Sequence, residues 1–135
     1  MNNTAYFFLR LPVAASLLGH GLVRLPKLQG FINWMTGFME KSYLPQPLIT
    51  GFSYAIPFVE VFTGLFLILG LFTRQTIYLS LLLMAAFIFG NTTIENWDPI
   101  NTQLVHSAYL GLLLFFIQYN GYSLDNVIKK QKTGL

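Results

Sequence analysis

Leu48 to Phe72 is a run of 25 residues in which Glu60 is the only charged side chain, and no other feature limits the fold so strongly. About 20 mostly apolar residues suffice for a helix to cross the hydrocarbon core of a bilayer. A carboxylate near the centre of such a helix costs on the order of 3 kcal/mol by insertion scales, so it needs a partner or a task. The run therefore implies a membrane protein with an interior that accommodates an acid. Only 10% of the chain is charged and 54% is hydrophobic, where soluble domains carry about 25% charged residues. The 135 residues are enough for one transmembrane domain and leave no room for a separate soluble catalytic one.

Four segments read as spans: about residues 5–25, 48–72, 74–92 and 101–119. The fold class expected is all-α, an integral membrane four-helix up-and-down bundle. The corner Phe72-Thr73-Arg74 makes the second and third spans antiparallel neighbours. Between the first two spans, Phe31, Trp34, Met35 and Phe38 fall at i, i+3, i+4 and i+7. That pattern predicts an amphipathic interfacial helix over about 30–41, lying flat at the outer surface like a lid. Ser123 reads as the N-cap of a basic surface helix over about 124–132. Pairs of small residues four apart (Ala15 and Gly19, Gly51 and Ala55, Ala86 and Gly90, Ser107 and Gly111) mark candidate close approaches between helices.

The net charge of +3 does not point to nucleic acid. Lys129, Lys130 and Lys132 cluster beside a membrane surface, where anionic lipid explains them. With Arg74 and Arg10 they outweigh Arg24, Lys27 and Lys41, so the positive-inside rule puts both termini in the cytoplasm. The chain has no cysteine, which excludes thiolate nucleophiles, disulfide exchange and iron–sulfur ligation. Redox chemistry here would need a borrowed cofactor.

On a helical projection the ionisable Arg10, His20 and Arg24 share an arc of about 80°, with Leu17 inside it and Gly21 at its edge. Ser53, Pro57, Glu60 and Gly64 form a similar stripe on the second span, where Pro57 leaves the Ser53 carbonyl without its helical donor. These stripes predict a polar pocket lined by His20, Arg24, Glu60 and His106, with Arg10 balancing the charge of Glu60. For each residue a structural role competes with a ligand-binding one: Glu60 as a buried ion pair, and the histidines as interhelical hydrogen bonders. Quinone is the ligand class such a pocket would take. Haem b on His20 and His106 is the weaker alternative, and no other metal site is expected.

The segments LRLPVAASLLGHGLVRLPK, GFINWMTGF, LPQPLITGFSYAIPFVEVFTGLFLILGLFTR and YSLDNVI resemble, in order and spacing, the DoxX family. The resemblance covers nearly the whole chain. It implies a four-helix protein of the bacterial cytoplasmic membrane, akin to the small membrane subunits of thiosulfate-quinone oxidoreductases. The function expected is a quinone-facing subunit of a membrane oxidoreductase complex, with no redox centre of its own. Its partners would be the lipid bilayer, other membrane or peripheral subunits, and a further copy of itself in a homo-oligomer. A non-catalytic membrane scaffold is the alternative, and a small-solute or proton carrier a weaker one.

Overall fold

The computed structural model describes residues 1–134. Six α-helices make up the fold: α1 (Asn3–Arg24), α2 (Leu28–Phe38), α3 (Gln46–Leu69), α4 (Thr73–Thr93), α5 (Asp98–Phe115) and α6 (Leu124–Lys132). A 3₁₀ turn, Leu25–Lys27, joins α1 to α2, and another, Ile117–Tyr119, follows α5. Three stretches are long and apolar enough to cross a membrane: Asn3–Phe38, Gln46–Leu69 and Thr73–Thr93. The chain is thus an all-helical, multi-pass membrane protein. The first half of α5 carries Asn101, Thr102, Gln103 and His106, which keeps this helix out of that apolar group.

The helix ends follow local chemistry. Asn2 caps α1 by accepting from the Ala5 amide, and Ser123 caps α6 by accepting from the Asn126 amide. The second apolar run was expected to continue to Phe72, but α3 stops at Leu69. Gly70 takes a left-handed conformation, φ 66°, and the Leu71 amide turns back to the Phe66 carbonyl, which ends the helix whatever the apolarity beyond.

α1 and α3 form the closest pair. Gly21 lies against the α3 backbone, where a Cβ would meet the Pro57 oxygen at 2.7 Å and the Val61 nitrogen at 2.8 Å, and Gly64 lies against the backbone of Leu18. Of the glycines in the small-residue pairs read from the sequence, only Gly90 has a neighbour where a Cβ would go, Met39 at 3.6 Å. Gly19, Gly51 and Gly111 have open space where a Cβ would go. Four-residue spacing puts two residues on one face without saying that another helix covers it.

α2 departs from expectation in a similar way. It follows α1 after only three residues and packs along α3, so an interfacial helix distinct from the bundle is not clearly set off. Its buried residue is Ile32, 3% exposed, while Trp34 and Phe38 of the expected apolar face are 55% and 41% exposed. Amphipathic spacing identifies a face; it does not say whether lipid, water or protein meets it.

At the end of the molecule that holds α6, Arg10 is 1% exposed. Its Nη1 donates to Asn120 Oδ1, and its Nη2 to the carbonyls of Ile68 (3.3 Å) and Tyr122 (3.1 Å). The Asp125 carboxylate accepts from the amides of Phe72 (2.6 Å) and Thr73 (2.8 Å), so a distant residue caps α4. The Asp125 amide donates to the Gly70 carbonyl at 3.0 Å. Two tyrosines fasten α1 to α5: Tyr6 donates to the Leu113 carbonyl at 2.8 Å and Tyr109 to the Leu9 carbonyl at 2.6 Å.

Candidate functional site

Glu60 is the fifteenth of the 24 residues of α3 and only 3% exposed. Its partner is Arg24, not Arg10: Arg24 Nη1 donates to both carboxylate oxygens, at 2.6 and 2.7 Å. The correction has a simple cause. Side chains on a helix slant toward its N-terminus. Gly21 sits beside Pro57 and Val61, so Arg24 lies about one turn past the level of Glu60 and slants back onto it. Arg10 lies 11 residues from Gly21, about 16 Å along the helix, and the same slant toward the N-terminus carries its side chain away from Glu60.

Arg24 also rests over the ring of Phe31, 4.8 Å from its centroid. One guanidinium therefore ties α1, α2 and α3 together. Because a single nitrogen serves both carboxylate oxygens, Nη2 and Nε of Arg24 make no hydrogen bond among the described residues. The Arg24 side chain is 29% exposed, so these donors are accessible.

The accessible side is a cavity of about 720 Å³ bounded by α1 to α5. His20, Arg24, Glu60 and His106 all line it, as do Trp34, Phe38 and Met39 from the α2 segment and Phe52 and Phe87 from α3 and α4. Arg10 does not. Sequence reasoning missed one polar wall, made of Asn91, Asn96 and Gln103. Asn96 Nδ2 donates to Asn91 Oδ1 at 2.9 Å, and Asn91 Nδ2 to the Phe87 carbonyl at 3.0 Å. Asn91 and Asn96 belong to the polar segment NTTIENWDPIN, which runs from the end of α4 into α5.

The two histidines meet through one hydroxyl. Ser16 Oγ lies 3.2 Å from His106 Nε2 and 3.5 Å from His20 Nδ1. His106 Nδ1 faces the Thr102 carbonyl at 3.0 Å, and His20 Nδ1 faces the Ser16 carbonyl at 2.7 Å. A carbonyl only accepts, so both Nδ1 atoms carry hydrogen and both Nε2 atoms are acceptors when the rings are neutral. Ser16 then donates to His106, while His20 Nε2 has no protein partner among the described residues. The rings are linked through the Ser16 oxygen. No group of three or more His, Asp or Glu among the described residues could hold a metal ion.

Residues 2–97, more than half of the chain, match the family described as methylamine utilisation protein MauE. The chain belongs to the MauE family. That match overturns the resemblance to DoxX, which rested on short segments whose ingredients, apolar spans with a buried acid and basic helix ends, suit small helical membrane proteins in general. The matched region contains α1 to α4, and with them Glu60, Arg24 and His20; α5, with His106, lies beyond it. No curated protein and no solved structure matches the chain.

Proposed function

We propose that this MauE-family protein is a membrane subunit that binds a lipid-soluble small molecule of the quinone class and lacks a redox centre of its own. The observation that carries the reading is the ion pair at the cavity wall, whose guanidinium keeps two unspent donors beside an unpartnered imidazole nitrogen. Quinone carbonyls accept such donors, and the aromatic and methionine walls suit a planar apolar ring. Reduction of a quinone takes up protons, which His20 and Glu60 are placed to relay. The chain holds no thiol to carry electrons, so a partner subunit, membrane-bound or peripheral, would supply them. The family description, methylamine utilisation protein, is the setting in which this reading is placed.

In this reading α5 is a fourth span whose polar first half turns toward the cavity, and residues 1–135 form one transmembrane domain. The setting is a bacterial cytoplasmic membrane with both termini inside. The count behind that orientation sets Arg74, the three lysines of α6 and Arg10 against Arg24, Lys27 and Lys41. A homo-oligomer remains part of the proposal.

The test is purification in mild detergent, organic extraction and chromatographic assay for quinone. The wild type should carry it, and Glu60→Gln and His106→Ala should carry markedly less. Equal content in all three, or none in the wild type, defeats the reading. The competing reading, a scaffold locked by the Arg24–Glu60 pair, predicts that Glu60→Gln lowers thermal stability with no change in bound ligand.

A further inference from the structure

We infer that the cavity opens sideways into the bilayer between the outer halves of α1 and α5, and that its ligand enters there past His20. This rests on the quinone-class reading above. The argument comes from two strips of α1. Residues seven apart lie on nearly the same side of a helix. Tyr6, Val13 and His20 form one strip: the first two are 0% and 4% exposed, and His20 is exposed. Leu9, Ser16 and Val23 form the second: Leu9 and Ser16 are held by Tyr109 and His106 of α5, whereas Val23 is 60% exposed. Both strips change at the same level. The Ser16–His106 contact is the outermost hydrogen bond between the two helices among the described residues, and past it the seam is uncovered.

The uncovered stretch connects two hollows. Ser16, His20 and Arg24 line the central cavity and also a shallow groove on the outer side of α1 that runs over Ala15, Gly19 and Val23. The groove lies level with the Arg24–Glu60 pair, in the middle of α3, where the surroundings are acyl chains. An exposed imidazole is costly there unless something polar meets it. A water-soluble ligand does not reach this depth. A lipid-borne molecule with a carbonyl or hydroxyl head does, and the free His20 Nε2 would be the first acceptor or, once protonated, the first donor it meets.

The test uses full-length, otherwise wild-type protein carrying Trp97→Phe, which leaves the cavity-lining Trp34 as the single tryptophan, in lipid nanodiscs with a quinone bearing a ten-carbon tail, and follows quenching of Trp34 by stopped flow. Gly19→Phe fills the groove without a clash, since nothing lies within 4 Å of a Cβ at that position. Val23→Phe on the same side is the second variant. Gly37→Phe, on α2 and equally free of clashes, is the control. Expected are association and dissociation both slowed roughly tenfold by Gly19→Phe and Val23→Phe, with Kd unchanged and Gly37→Phe like the wild type. Unchanged rates in both groove variants, or equal slowing by Gly37→Phe, overturn the lateral entrance while leaving binding itself intact. Absence of saturable quenching in the wild type overturns the binding reading, and the entrance with it.

Discussion

Arg10 and Arg24 stand on the same side of the same helix, four turns apart, and do opposite things. Arg10 is 1% exposed and three of its contacts are to oxygen atoms of Asn120, Ile68 and Tyr122, with no carboxylate bonded to it. Arg24 is paired with a carboxylate, is 29% exposed in its side chain, and keeps donors unspent. The first arginine is enclosed by the fold: neutral oxygens of α3 and of the connection before α6 take both of its Nη atoms, and the one nitrogen left over, Nε, is buried without a partner where no ligand can reach it. The second is neutralised through one nitrogen and leaves the rest facing a cavity. Charge alone does not separate a structural arginine from a binding one. The count of remaining donors, and where they point, does.

Variants at the two ends should therefore fail differently. The largest effect is expected from Arg10→Ala, which orphans buried acceptors at about 1–3 kcal/mol each. The protein should lose several kcal/mol of stability and accumulate poorly, as read by thermal unfolding in detergent, and Arg10→Lys should not restore it, because an ammonium cannot reproduce the planar fork. A melting temperature within two or so degrees of wild type for Arg10→Ala would erase the contrast.

Next is Glu60→Gln, which strands a guanidinium that still has partial access to solvent. A loss of about 2 kcal/mol is expected, below the 3–5 kcal/mol typical of fully buried pairs, together with a fall in bound ligand that Arg10 variants which still fold do not share. Stability and ligand content measured on one preparation decide this. Asp125→Ala removes the cap on the Phe72 and Thr73 amides and should cost about 1 kcal/mol, with faster hydrogen exchange confined to the start of α4 and to α6. The smallest effect belongs to Tyr109→Phe, which deletes one hydrogen bond to the Leu9 carbonyl, worth about 1 kcal/mol. It should loosen the α1–α5 seam without altering the Arg24–Glu60 pair, and a larger effect on ligand content than that of Glu60→Gln would contradict the assignment of roles.

What could be foreseen from the residues follows a physical division. Helical projection gives the direction a side chain faces around the axis, so the shared face of His20 and Arg24 and the isolation of Glu60 were readable before any coordinates. The same projection carries no information along the axis, and so Arg10 was chosen over Arg24 as the partner of Glu60. Local capping was readable at Ser123, where the signal lies within three residues. It was not readable at Phe72 and Thr73, whose cap comes from Asp125 some fifty positions away. The place of α2 along α3 and the amide wall of Asn91, Asn96 and Gln103 depend on tertiary contacts that periodicity does not encode.

Since the residue that secures the α3–α4 turn lies in α6, the turn cannot be finished in the order in which it is made. Phe72, held at φ 45° against the preference of an L-residue, gains the Asp125 carboxylate on its amide only once residue 125 has joined the chain.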